Sequence, residues 1–488
     1  MQHRLEFQWI AFLDKYQDRT AMKYISVLRC AFRVLVFLIC CATVLIGQDL
    51  NFRDQMDQLG KKLKQLEEVI NSQNKVETAT TSGNPKASEV EELRRQIGVL
   101  AAEVEKLRSG EQEIEVTAEK ASSMGLSSSA ASVYRKTQGV SIAGYGEMLY
   151  QNYADETQSG ATSGKKSQLD FLRAILYTGY RFNDKFVFNS EVEFEHSNTS
   201  RGGEVSVEFA YLDYIINKNF TLRGGLMLIP MGITNEFHEP TAYLGARRSE
   251  TETHIIPTTW RENGFGMLGT AGKFSYRVYI VAGLDASRFS AEGIRSGRQS
   301  GARSIATDMA LVGRLDYALV PGASVGGSIY TGNSGQGQFT ENGIAYGIRT
   351  TIGEVHGQLQ VRGFDIAALY ARSSIKDVAV LSRLRGISGK DSPGKQLQGG
   401  YFQASYNLLS QRSERMRLSP YYRYEKLNSQ ESVPQGFNVD PARNRSFHTA
   451  GIEFRPIQNI AIKGDYQWIR NQAQTGLSQF NLNMGYSF

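Results

Sequence analysis

Between Pro230 and Asn263 the sequence gathers Arg247, Arg248 and Arg261 with Glu236, Glu239, Glu250, Glu252 and Glu262, and with His238 and His254. A guanidinium meets phosphate or carboxylate in a bidentate fork, which makes Arg247 and Arg248 candidates for contacting an anion. The same charges could instead be salt bridges that only hold a loop together. Two other patterns lead to covalent or metal chemistry in other proteins. "GASVG", Gly322 to Gly326, matches a nucleophile elbow around Ser324, but it falls in a short turn between strands instead of between strand and helix. The histidines His3, His196, His238, His254, His356 and His448 are scattered, and no metal-ligand spacing links them. No glycine-rich phosphate loop leads a strand into a helix. The residue types therefore favour ion contacts over catalysis; no enzyme activity, cofactor or metal is expected.

The elements that must position these residues read as strands. "KFVFNSEVEF" sets Phe186, Phe188, Val192 and Phe194 on one face and Asn189, Glu191 and Glu193 on the other. "KFSYRVYIVAGL", "NIAIKGDYQW" and the closing "FNLNMGYSF" alternate in the same way. Period-two stretches start near residues 139, 168, 185, 204, 219, 263, 273, 305, 322, 345, 363, 395, 415, 445, 458 and 477, sixteen in all. The connections between them alternate. "FNDK", "INKNF", "AGK", "LVPG", "VRG", "LSQRSE" and "PIQN" are short, and the intervening ones are mostly long. An even strand count with short turns at one end and long loops at the other marks an all-β transmembrane barrel of sixteen antiparallel strands over residues 139–488. In such a barrel the apolar edge of the last strand pairs with the first strand and its greasy face meets lipid.

Strand parity then sorts the charges. Inward by this rule are Arg173, Arg181, Arg223, Arg277, Arg314, Arg417, Arg423, Arg455 and Lys463, opposed by Glu147, Glu191, Glu193, Glu195, Glu208, Asp316, Glu425, Glu453 and Asp465. The expected lumen is mixed in sign. Charge rings set ion preference where a pore is narrow, and here that is the third long loop. The fourth loop adds Arg288, Arg295, Arg298 and Arg303, as a basic funnel or as a solvated, lipopolysaccharide-facing surface. The amphipathic "IKDVAVLSRLRGI", Ile375 to Ile387, is a candidate plug in another long loop.

Composition agrees with many tight-turned strands: Gly 48, Tyr 24 and Phe 24 against Pro 10 in 488 residues. A mean hydropathy of −0.35 leaves no bundle of membrane helices, although barrels escape such plots. A net charge of +6 is mild for this length, and no nucleic-acid motif is present. Ahead of the barrel, Lys23, Arg29 and Arg33 precede an apolar run from Val34 to Ile46. The run is shorter than the roughly 20 residues a membrane helix needs and suits a signal peptide over residues 1–47, cut at Gly47–Gln48. A single-pass anchor is the alternative. The three cysteines, Cys30, Cys40 and Cys41, all fall before that cut.

In residues 48–120, Phe52, Met56, Leu59, Leu63, Leu66 and Ile70, then Val90, Leu93, Ile97, Leu100, Val104 and Leu107, step by threes and fours beside charged flanks. Two coiled-coil segments are expected, broken near 76–88, with the oligomer order open. Residues 121–138, with "SSMGLSSSAAS", read as a flexible linker. Both barrel ends fall on the short-turn side, which puts the coiled coil in the periplasm.

"GYGEMLYQNY" at the start of the barrel and "GLMLIPMGITNEFHEPTAYLGARR…HIIPTTWRENGFGMLG" across the third loop resemble the bacterial phosphate-selective porin O/P family, some of whose relatives carry a periplasmic coiled coil. The resemblance covers about Gly139 to Phe488. It implies a homotrimeric outer-membrane porin whose third loop narrows the channel, and a terminal Phe488 read by the barrel-assembly machinery. Phosphate-selective members carry a ladder of lumen arginines, from which the mixed wall here departs. The expected function is diffusion of small hydrophilic solutes, leaning toward anions such as phosphate. The alternative is a structural barrel whose coiled coil tethers the membrane to the cell wall or to a periplasmic partner.

Overall fold

The structure is a computed structural model that describes residue 95 and residues 124–136, 138–196, 203–217, 219–413 and 415–488. The expected signal segment, its cut at Gly47–Gln48 and nearly all of the expected coiled coil lie outside the described residues. The chain divides into two units, Met1–Ile114 and Glu115–Phe488.

Within the second unit the strands are β1 (Gly139–Tyr153), β2 (Gln168–Arg181), β3 (Phe186–Glu195), β4 (Val205–Asn217), β5 (Phe220–Leu228), β6 (Arg261–Ala271), β7 (Phe274–Ala282), β8 (Met309–Val320) and β9 (Ala323–Asn333). A small hairpin, β10 (Thr340–Glu341) and β11 (Ile344–Ala345), stands apart. The barrel resumes with β12 (Arg349–Val361), β13 (Phe364–Ile375), β14 (Gln396–Tyr406), β15 (Arg417–Ser432), β16 (Asn444–Ile457), β17 (Ile460–Asn471) and β18 (Gln479–Ser487). Sixteen of these strands close into one antiparallel barrel, each paired with its chain neighbours. β18 seals it against β1 with Met148 opposite Met484 and Tyr145 opposite Ser487. Phe488 continues that edge, exchanging backbone hydrogen bonds of 3.0 and 2.9 Å with Gly144.

Alternation explains which way each residue faces. Leu176, Leu212, Leu222, Phe265, Leu311, Leu315, Ile329, Val355 and Phe402 are exposed on the outside. Their strand neighbours Tyr177, Asp213, Arg223, Val312, Arg314 and Glu354 are buried within. So broad an apolar exterior is unfavourable in water and suits hydrocarbon. Outward aromatics pair at the short-turn rim: Tyr180 with Phe182, Phe186 with Tyr214, Phe274 with Tyr317, and Phe364 with Tyr406, at centroid distances of 4.9, 4.8, 4.7 and 4.7 Å. Amphipathic rings collect at the membrane–water boundary, and this girdle marks it.

The expected linker differs most from its reading. From Met124 the chain enters the barrel and packs against the inner faces of β1 to β4. Leu126, Ala130, Ala131, Val133 and Tyr134 are buried, and Ser132–Arg135 form a 3-10 turn. Its serines and alanines look like a flexible spacer. Inside a lumen their small size lets the backbone press against the wall.

At the other end the loops after β7, β9 and β13 contact one another. Helix α2 (Val378–Leu384) follows β13, with Val378, Val380 and Leu381 buried. Its Arg383 pairs with Glu341 of the β10–β11 hairpin at 2.9 Å, and Arg385 donates to the Phe289 carbonyl. The amphipathic stretch expected as a plug thus belongs to the packing among the long loops.

Candidate functional site: the in-folded third loop and its polar cavity

The third loop joins β5 to β6 and runs from Ile229 to Trp260, so Arg261 and Glu262, expected in the loop, belong to β6. Its neck is closed by a backbone hydrogen bond from Ile229 to the Trp260 carbonyl at 2.9 Å and by one side chain. Asn235 donates to the carbonyls of Ile229 and Trp260 at 2.7 and 3.0 Å, and accepts from the Trp260 amide at 2.6 Å. Further along lies the one-turn helix α1 (Glu250–His254), capped by Ser249. Glu425 of β15 accepts from the Ser249 hydroxyl at 2.7 Å and from the amides of Glu250 and Thr251. A carboxylate at a helix start satisfies amides that have no partner in the helix. Glu252 ties the loop both to itself, through the amides of Ile233 and Thr234 at 2.8 and 2.7 Å, and to β14, through the Tyr401 hydroxyl at 2.7 Å.

The expected lumen cations hold this loop or pair with wall acids. Lys463 donates to the carbonyls of Pro240 and Tyr243, Arg423 to those of Leu244 and Arg247, and Arg314 to that of Gly232. Arg277 meets Glu236 at 3.0 Å, and Arg314 meets Asp316 at 2.8 Å. Arg173 meets Glu147 at 3.1 Å, Arg223 meets Asp213 at 2.8 Å, and Arg261 meets Glu208 at 2.6 Å. Arg181 turns to the Tyr134 carbonyl at 3.0 Å. In the loop, His238 meets Glu191 at 3.0 Å, and Arg248 donates to the His238 carbonyl at 3.2 Å. Arg247 is 3.4 Å from Glu250 and keeps 35% of its side chain exposed. Most of these cations thus have a carboxylate or backbone carbonyl partner within the barrel. Arg298, expected in a basic funnel, clamps the third loop through the carbonyls of Pro257 and Thr259, while Arg288 and Arg303 are exposed.

Outside the spanning strands the loop carboxylates divide. Burial works to raise the Glu250 carboxyl, but the hydrogen bond from His254 and the charge of Arg247 outweigh it and hold it at about 2. Burial raises Glu252, and it raises Glu239 too, with Glu191 adding to it, against the hydrogen bond from Ser127 and the pull of His238. Burial, with Arg298 nearby, also lowers Arg295 to about 9.

On the opposite side of the lumen the loop leaves a cavity of about 90 Å³, room for a few water molecules, against β12 to β16. Its walls are Thr241 to Leu244 of the loop, with Gln358, Gln360, Asp365, Tyr401, Gln403, Arg417, Arg423 and Arg455. Three guanidinium groups face one carboxylate. Arg417 stands 3.9 Å from Asp365 with 32% of its side chain exposed, and Arg455 is 2.9 Å from Glu453. Parity found the arginines. The glutamines and Asp365 were missed because uncharged amides and a single acid at a strand start carry no signal of their own in a sequence. Ser324 sits at the start of β9 after the Gly322 turn, with no helix following.

These features define a membrane-spanning sixteen-stranded β-barrel with an in-folded third loop. Over 353 residues the chain is 36% identical to an uncharacterized protein of Aquifex aeolicus (strain VF5), spanning 70% of this chain and 78% of that one. It belongs to the same family as that protein. No protein-family model matches the sequence. Among solved structures it is similar to the outer membrane channel DcaP of Acinetobacter baumannii, at 12% identity and a TM-score of 0.48 over 72% of this chain and 97% of that one. It is also similar to an anion-selective porin of Comamonas acidovorans, at 12% identity and 0.43 over 72% and 100%. OprB of Pseudomonas putida shares 9% identity at 0.48 over 72% and 94%. The similarity to these three is one of chain path alone.

Proposed function

We propose that the protein is an outer-membrane porin, a water-filled channel for small hydrophilic solutes with a lean toward anions such as phosphate, and that it works as a homotrimer. The observation that carries this reading is the polar cavity left between the third loop and the β12–β16 wall, where Arg417, Arg423 and Arg455 face Asp365. A solute passing there meets an excess of positive charge in a confined space, where field lines concentrate. Because Arg423 and Arg455 are already engaged, Arg417 is the group with most freedom to reach a passing anion. The reading assigns no covalent chemistry to the barrel. It includes kinship with the phosphate-selective porin O/P proteins, lipopolysaccharide around the exposed arginines of the fourth loop, and a role for Phe488 in assembly.

The test is a planar bilayer under a potassium chloride gradient. Open steps with an anion-selective reversal potential, reduced by added phosphate, are expected; a cation-selective potential would remove the anion lean and leave the channel. The second reading, a tether to the cell wall or a periplasmic partner, is favoured by the dense pairing of lumen charges. Folded barrels that pass no current would support it.

A further inference from the structure

The chain from Met124 to Tyr134 is packed inside the barrel although it belongs to no barrel strand or connecting loop. It enters at the short-turn end and lies on the inner faces of β1 to β4, across the lumen from the arginine-lined cavity. We infer that residues 124–135 are a displaceable stopper, which closes one side of that end and confines solutes to the opposite wall. This rests on the reading of the barrel as a channel.

The seat is specific. Gly179 faces inward on β2, and a side-chain carbon there would come within 2.5 Å of the Val133 Cβ. A glycine inside a strand weakens it, and close approach of another chain segment is the physical reason to keep one. Around this socket, Asn189 donates to the Ala130 carbonyl at 2.8 Å and Tyr134 donates to Asp213 at 2.7 Å. Gly125 takes a φ of 73° beside Glu236 and Arg277, a conformation and a space that only glycine fills without strain.

The segment also touches the constriction. Ser127 and Ser129 both donate to Glu239 of the third loop. Side-chain hydrogen bonds and the buried Leu126, Ala130, Ala131, Val133 and Tyr134 hold the segment, but it joins no strand of the closed barrel ladder. Segments outside the ladder open at lower free energy than the strands themselves. By sequence, the heptad-bearing stretch lies upstream, its seam running to Leu107. Withdrawal would widen the short-turn end and free the Glu239 carboxylate, diluting the influence of the arginines.

The experiment uses the full chain with Cys30, Cys40 and Cys41 replaced by serine and Ala131→Cys as a reporter. Gly179→Leu fills the socket without breaking the strand, and Val133→Asp places a charge on the buried anchor. In folded barrels, maleimide should label position 131 about tenfold faster in either variant than in the parent, as local detachment requires. Unit conductance should rise roughly 1.5- to 2-fold, with the reversal potential moving toward cations as the pore widens. Unchanged conductance in both variants, with or without faster labelling, would overturn the stopper and leave the channel standing. Absence of current in parent and variants alike would overturn the channel reading, and the stopper with it.

Discussion

Single residues decide how firmly the constriction is held. Asn235 makes three hydrogen bonds at the neck of the third loop. Each buried group left unpaired costs about 1–3 kcal/mol, so Asn235→Leu should lower the unfolding temperature and raise open-channel noise. Arg417 acts on selectivity instead. It is part-exposed, and its contact with Asp365 is long, so Arg417→Ala should leave stability within about 0.5 kcal/mol and move the reversal potential toward cations.

Glu250 gives a pH dependence of known sign. Its carboxyl is held at about 2 against an ordinary 4.5, so its contribution is present above 4.5 and lost as pH falls from there toward 2. Channel noise should grow across that window in the native protein, and Glu250→Gln should show the noise at neutral pH with the added acid limb reduced.

At the scale of elements, the third loop is a folded unit clamped at its neck, at α1 and along its length. Replacing Glu425 with alanine removes the acceptor for Ser249 and two amides, and should free α1 from β15. A larger unit conductance with the barrel intact is the expected result, checked by single-channel recording beside a folding assay. The strands were legible because one face meets lipid and the other polar groups. Barrel strands begin within a few residues of the expected starts near 139 and 458, as Gly139 of β1 and Ile460 of β17 illustrate. The roles of the lumen charges were only half legible. Parity showed that Arg423 and Lys463 face inward, but that they grip backbone carbonyls of a loop some 200 positions earlier depends on how that loop folds. The inserted segment was invisible for a related reason. Small polar residues read as a spacer unless the socket at Gly179, far along the chain, is known.

At the scale of the whole barrel, an apolar exterior surrounds a polar interior, and stability depends on keeping them apart. Val355 is 63% exposed on the outer face of β12. Val355→Lys should cost about 2–4 kcal/mol if the site lies near the bilayer midplane, measured by urea titration in lipid vesicles. The central claim is that solutes pass beside the third loop, along the β12–β16 wall. The most direct measurement is single-channel current through Gln403→Cys, in the background lacking the native cysteines, before and after a charged thiol reagent. A stepwise fall in unit conductance on labelling is expected. Full labelling with no change in current would contradict the assigned route.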